Sequence, residues 1–492
     1  MSQTITRLPS EILSKIFLEF DWSSFFSTRL TCKKFYGVTK SRHFWLDHIQ
    51  KVKEIFGYVL PLESSCYTTQ ELEQWVTHRH RVLYIWSKHP TIRDQKFTIS
   101  DVGSDDMPRS DFDFLPGGRW LLVRQSETFA FILDVESSSS APKMKVLFDF
   151  RSVEAPDGEE PDWVPENLFS YWIDRSKSRL SFLLVATSFY YKTSRVFVTE
   201  VELSGDGPAD ATFISHSRAT FRTNLSKDEN LPFWLTKLNN ADSDGPRSWE
   251  AILNDRYYVE FNFERSSMKV YNHNALVGND SDPLLEQCPD ALVIKDCKNI
   301  QEIRFIHDNI LVAIGRNKVY VFEIHQSDIS RNVPDVRRLH TVDMNGPTDI
   351  FSPIKWFPDA SEIIFFKPRA RVPWAHLRIP HDKSTPLQTN CNIDAPELIV
   401  SELQAGFFWS LIKQAGFGNG DFTLSGLQLV KHTWDLTTSQ CGLSHLSISL
   451  PDYIQGNDVE AFSEEVGRVV LTKYKYKKRV AQLQLTLMEM DM

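Results

Sequence analysis

The first apolar positions of the chain fall on one stripe. Leu8, Ile12, Leu13, Ile16, Phe17 and Phe20 recur at helical spacing, which predicts an amphipathic helix opening at the Leu8-Pro9-Ser10-Glu11 turn. Proline is tolerated in a first turn that has no donor to lose, and Glu11 is favourable near the positive end of the helix dipole. A second short helix is expected through Ser23 to Leu30 and a third from Cys32 to Val38, with Phe44-Trp45 heading a further turn through Ile49. Each is too short to hold alone. Farther on, Thr68-Thr69-Gln70-Glu71 has capping-box spacing, and Leu72, Trp75, Val76, Arg79, Val82, Leu83 and Trp86 continue the stripe of a long helix.

Past residue 90 the period changes. Arg119 to Val123, Thr128 to Leu133, Lys318 to Phe322 and Val469 to Thr472 are short runs rich in β-branched and aromatic residues, set off by Gly, Pro, Asn and Asp. They read as strands. One element recurs. Phe112-x-Phe114-Leu115-Pro116-Gly117-Gly118-Arg119-Trp120-Leu121 aligns without gaps on Ile354-x-Trp356-Phe357-Pro358-Asp359-Ala360-Ser361-Glu362-Ile363, and looser copies lie at Trp172, Ile252, Ile303 and Phe462. Most copies follow at propeller-blade spacing, and the last gap is longer, as though one copy were unreadable. About 400 residues at four strands per blade predict an all-β propeller of six or seven blades, with a two-sheet sandwich array as the structural alternative.

At 492 residues the chain exceeds one compact core. The expected division is 1–50, a small helical bundle; 51–90, a helical connector; and 91–492, the β domain, an α+β multidomain chain. Net charge is −9. The excess of Asp and Glu lies beyond residue 90, whereas the head is mildly basic, so neither nucleic acid nor a membrane is expected as partner. Six scattered cysteines without a CxxC pair suggest neither a disulfide framework nor a zinc ribbon, and an intracellular location, cytosolic or nuclear, is expected.

Three stretches of the head carry a family resemblance: Leu8-Pro9-x-Glu11-Ile12-Leu13-x-x-Ile16-Phe17, then Thr31-Cys32-Lys33-x-Phe35, then Phe44-Trp45. Together they resemble the F-box, the module that docks a substrate receptor onto a cullin-type ubiquitin ligase. The resemblance implies that Leu8, Pro9, Ile12, Leu13, Ile16, Thr31, Cys32 and Lys33 contact the Skp-type adaptor, which links to the cullin scaffold. Thr31 stands where the family usually has Val, and Phe35 where it usually has Trp. A small head with so many large apolar groups is expected to leave the stripe from Leu8 to Phe17 uncovered for that partner. The first β repeat, ending in Leu133-Asp134-Val135, is similar to a WD-repeat blade, with Leu133 where the blade-end tryptophan would be. The whole looks closest to fungal F-box proteins with divergent propellers.

Other motifs point away from catalysis. No Gly-x-Ser-x-Gly elbow, Walker A loop or His-Glu-x-x-His occurs. Asn240-x-Asp242-x-Asp244-Gly245 begins like a calcium loop, but its twelfth position is Ala251. Lys473 to Arg479 alternates lysine with tyrosine as a half-exposed strand does. Arg369, Arg371 and Trp374 are the candidates for capturing a protein target, because Arg and Trp are enriched where interfaces concentrate their energy. The reading is a non-catalytic substrate-recognition adaptor of a Skp-cullin-F-box ubiquitin ligase, with no cofactor, no metal and an unknown protein substrate. The alternative class is a propeller hydrolase or carbohydrate-binding protein with a helical leader.

Overall fold

The computed structural model of the chain describes residues 5–85, 91–99, 110–125, 128–136, 143–153, 166–189, 193–224, 249–262, 267–273, 292–294, 300–307, 309–315, 317–326, 334–343, 350–352, 354–357, 359–366, 374–382, 385–386, 388–393, 403–405, 409–418, 421–435, 440–448, 458–477 and 480–491. Five helices come first: α1 (Ser10–Leu18), α2 (Trp22–Arg29), α3 (Lys33–Val38), α4 (Arg42–Phe56) and α5 (Thr69–Ile85). Their ends follow local chemistry. Asp21 accepts the Ser24 N–H at 2.9 Å to cap α2, and Ser41 accepts that of Phe44 at 3.2 Å to cap α4. Thr68 and Glu71 exchange backbone-to-side-chain bonds at 2.7 and 3.2 Å, closing the capping box that starts α5. The helix expected to turn once through Ile49 runs on as α4 to Phe56, where Gly57 at φ +69° ends it. An expected boundary at residue 50 therefore falls inside a helix.

The strands build seven antiparallel sheets among the described residues. A lone strand, β1 (Thr91–Ile99), precedes them. Sheet one is β2 (Ser110–Phe114), β3 (Trp120–Gln125), β4 (Phe129–Asp134) and β5 (Lys143–Asp149). Sheet two is β6 (Glu166–Ile173), β7 (Ser181–Phe189), β8 (Thr193–Ser204) and β9 (Thr212–Asn224). Sheet three is β10 (Trp249–Leu253), β11 (Tyr257–Asn262), β12 (Ser267–Asn272) and β13 (Leu292–Ile294). Sheet four is β14 (Ile300–His307), β15 (Ile310–Gly315), β16 (Lys318–Gln326) and β17 (Pro334–Asp343). Sheet five holds β18 (Ile350–Phe351), β19 (Lys355–Trp356), β20 (Ala360–Phe366), β21 (Trp374–Pro380) and β22 (Gln388–Ile393). Sheet six is β23 (Leu403–Ala405), β24 (Trp409–Gly418), β25 (Asp421–Asp435) and β26 (Gln440–Ile448). Sheet seven joins both ends of the β region: β27 (Asp458–Ser463), β28 (Arg468–Lys477) and β29 (Val480–Asp491) pair in order, and β29 then pairs with β1, Thr91 opposite Asp491.

Each sheet packs on the next. In β3, Trp120 and Leu122 join a core shared with sheet two, and Leu121 and Val123 one shared with sheet seven. In β15, Leu311 and Ala313 face sheet three, while Ile310, Val312 and Ile314 face sheet five. Successive side chains point to opposite faces, so a sheet covered on both sides needs continuous apolar runs rather than alternation. That is why the strand segments read as unbroken hydrophobic stretches. Sheets two and three share a further cluster, and β23 touches both β18 and β27, which completes the circuit. The seven sheets form a propeller, and pairing β1 with β29 leaves the ring no open end.

The repeated sequence element marks one place in this plan. Its six copies fall at the connection between the first long strand of a sheet and the next: 115–119, 174–180, 254–256, the Ile306–Ile310 turn, 357–359 and 464–467. The missing copy belongs to sheet six, whose corresponding residues 406–408 lie outside the described residues. Asn240 to Gly245 and the polar stretches at 137–140 and 154–162 also lie outside them.

Candidate functional site

The head is a helical bundle cored by Leu13, Phe17, Phe25, Phe35, Val38, Phe44 and Trp45. Phe35 meets Phe17 edge-on at 5.1 Å between ring centres, and Phe25 stacks on Phe44 at 5.5 Å. The stripe of α1 is accordingly not left bare as one surface. Leu13 and Phe17, four residues apart, turn inward and are fully enclosed by this chain, with Leu13 at 0% exposure. Leu13, expected at the contact with the adaptor, lies in the core of the head and supports the surface from behind. Ile12 remains 45% exposed, Pro9 is exposed, and Leu8 and Ile16 are half-buried.

The second expected stretch lies alongside. Lys34 donates from Nζ to the carbonyls of Thr6 and Leu8 at 2.7 and 2.8 Å, fastening the turn before α1 to the start of α3. Thr31 and Lys33 are exposed, and Cys32 is half-buried. The Thr31 hydroxyl donates to the Thr28 carbonyl at 2.7 Å, so replacing the usual Val leaves no orphaned polar group. Two strongly exposed apolar side chains escaped the sequence reading: Leu30 at 78% and Ile5 at 47%. Both adjoin the matched motif, yet hydrophobicity alone does not tell an exposed leucine from a buried one.

The head is fixed to the β domain by a joint. Arg29, nearly buried, pairs with Glu73 of α5 at 2.7 Å. Arg79, which the sequence placed on the buried face of α5, lies 3.5 Å over the Trp75 ring and forms an ion pair with Glu465 of the β27–β28 turn, Nε to Oε1 at 2.9 Å. Glu465 also accepts the Gly117 N–H at 3.0 Å. Burial lowers the pKa of Arg79, and the Glu465 carboxylate opposes that shift.

Residues 57–62 run as a strap across this end of the propeller. A side chain at Gly57 would come within 2.8 Å of the Trp356 carbonyl of sheet five, and the Tyr58 ring lies 4.4 Å beneath Lys355 Nζ. At the other end of the strap, the Pro61 carbonyl accepts the Leu180 N–H of sheet two at 2.6 Å, and Pro61 is close against Gly117 of sheet one. The strap thus spans from one side of the ring to the other.

Of the three target-capture candidates, Arg369 and Arg371 lie outside the described residues, and Trp374 begins β21 with its side chain not described. The sheet seven strand carrying the lysine–tyrosine alternation is β28, which runs through Lys477. A buried carboxylate that the sequence did not single out, Glu260, sits between sheets two and three. It accepts from Ser194, Thr223, Tyr271 and Tyr258 at 2.7, 2.9, 3.1 and 3.2 Å. Burial raises its pKa, and these donors oppose the rise in part. The donor set makes Glu260 a clamp between sheets.

Residues 5–47 match the F-box domain family and form an F-box. No curated protein sequence matches the chain. Among solved structures, the chain is similar to the WD40 domain of SCAP from fission yeast, at 12% identity over 78% of this chain and 85% of that one, with a TM-score of 0.37. It is also similar to a protein assigned as a 6-phosphogluconolactonase from Bacteroides uniformis, at 12% identity over 74% of this chain and 97% of that one, with a TM-score of 0.33. No helix among the described residues is long and apolar enough to cross a membrane.

Proposed function

We propose that this chain, carrying an F-box at residues 5–47, is the substrate-recognition adaptor of a Skp-cullin-F-box ubiquitin ligase. Residues 1–50 dock the Skp-type adaptor and through it the cullin scaffold, 51–90 set the spacing, and 91–492 capture a protein target. Ubiquitin chemistry takes place on other subunits, and the chain itself is non-catalytic, working in cytosol or nucleus.

The observation that carries this reading is the exposed apolar set on the head: Ile5, Pro9, Ile12 and Leu30, drawn from segments that Lys34 fastens together. Apolar groups held in the open by a rigid bundle favour a partner that covers them. Leu8, Ile16, Thr31, Cys32 and Lys33 complete the surface. The strap supports a second part of the reading, that the target engages the propeller away from the head, because this chain occupies the near end itself. Phe366 and Trp374, the paired ends of β20 and β21, lie at the end of sheet five opposite its strap-side turn; Trp374, with Arg369 and Arg371, is the proposed target contact.

Truncation to residues 91–492 is a poor test, because it would strip Arg79 from Glu465 and leave a buried carboxylate unpaired. The cleaner test keeps the full chain and places Asp at Ile12 and Leu30. Purified wild-type chain is expected to retain a Skp-type adaptor and cullin on a resin. The double variant is expected to lose both while unfolding at the same temperature, and equal recovery from the two would refute the reading.

A further inference from the structure

The strap does not fill the end of the propeller. A cavity of about 820 Å³ lies between it, the last turns of α4 and the turns of sheets one, two and five. That volume falls in the range of small-molecule sites. Apolar Pro61, Pro116, Ile173 and Trp356 line it, together with the cations Lys53, Arg175, Lys177 and Arg179 and the carboxylates of Glu63 and Asp174.

Arg175 differs from Lys177 and Arg179 in having no counter-charge of its own. Arg179 pairs with Glu63 at 3.4 Å and Lys177 with Glu200 at 3.1 Å, while Asp174 accepts from Ser176. Among the described residues no carboxylate stands within ion-pairing distance of Arg175. The acid whose field it feels most, Glu465, is already engaged by Arg79 and the Gly117 N–H. Arg175 is exposed to solvent at the cavity, and the protein mass around it draws its pKa down to about 10, with Glu465 opposing that shift. Its guanidinium lies 5.3 Å from the centre of the Trp356 ring. A guanidinium on a cavity wall beside an aromatic face, with no ion pair of its own, offers its donor fork to an anion that enters.

We propose that this cavity is a binding site for a small organic anion, a phosphate or carboxylate carried on a flat apolar ring. Arg175 takes the anionic group as a two-pronged donor, and Trp356 with Ile173 and Pro61 takes the ring. A ligand there touches the strap and three sheets at once, so its occupancy strengthens the joint between head and propeller. The proposal is independent of the adaptor reading and stands whether or not the head binds a partner.

The test uses full-length protein at low salt with four probes in calorimetric titration: phenyl phosphate, benzoate, inorganic phosphate and acetate. At least one aromatic anion is expected to bind about tenfold more tightly than its ring-less counterpart, with the phosphate and carboxylate arms telling which head group the site prefers. Arg175→Met is expected to weaken that binding by about tenfold or more. Its melting temperature in the absence of anion should not fall, because Arg175 is exposed and makes no ion pair within the described residues. Binding of both aromatic anions no tighter than the ring-less pair, or Arg175→Met within twofold of wild type, overturns the proposal. Arg175→Lys keeps the charge and loses the fork, so it provides a second reading should the Met variant fold poorly. Its affinity is expected to drop at least threefold, and wild-type affinity would count against the site as drawn.

Discussion

Truncating Ile12 and Leu30 to alanine separates what the head shows to a partner from what holds it together. Burying a whole aliphatic side chain is worth about 1.5–3 kcal/mol. Ile12 keeps 45% and Leu30 78% of their surface in water. Covering what remains is therefore worth about 1 kcal/mol at Ile12 and about 2 kcal/mol at Leu30. The double variant is expected to bind a Skp-type adaptor about a hundredfold more weakly. Its own stability should change little at Leu30 and fall by about 1 kcal/mol at Ile12, more than half of which folding already covers. Leu13→Ala should do the reverse: the side chain is fully enclosed, and the cavity costs about 2–5 kcal/mol of stability. Its intrinsic affinity, measured below the melting temperature, stays near wild type. Titration calorimetry with purified adaptor, beside thermal unfolding of each variant, reads both quantities. If the Ile12/Leu30 double variant binds within twofold of wild type, these side chains lie outside the interface and the docking argument fails.

Three further outcomes follow from the joint and the cores. Glu465→Ala leaves the buried Arg79 without its counter-ion and should cost about 3–5 kcal/mol, seen as a lowered melting temperature and faster proteolysis near residue 86; unchanged values would mean the pair is not structural. His48 and His80 are held neutral, chiefly by desolvation, with pKa values near 3 and 4, and His80 and Lys51 add to the effect at His48. Folded pKa values below the unfolded ones give stability that is complete above about pH 6.5 and fades as the pH falls. At pH 5 the loss is about 2 kcal/mol for each ring, and replacing both by Phe should flatten the melting-temperature profile between pH 7.5 and 5. Gly118 stands at φ +67° where a Cβ would overlap Val466 Cγ2. Gly118→Ala should destabilise by more than about 1 kcal/mol, and adding Val466→Ala should restore the overlap part but not the backbone part.

Local chemistry was legible from the chain alone. The Thr68–Glu71 capping box joins residues three apart, and helical or strand periodicity is a property of adjacent residues, so the helices, the strands and the repeated turn showed in the sequence. Even the unreadable seventh copy left its trace as a gap in the spacing. The tertiary structure alone decided which apolar groups of the head stay in water, because Ile12 and Leu13 are chemically near-identical and only packing against Phe17 and Trp45 tells them apart. It alone brought Arg79 to Glu465, Pro61 to Leu180 and Thr91 to Asp491. Those partners are separated by long stretches of chain, and no local spacing rule carries information across that distance. Arg175 likewise becomes distinctive only once the fold has paired Arg179 with Glu63 and Lys177 with Glu200 and left it without a carboxylate.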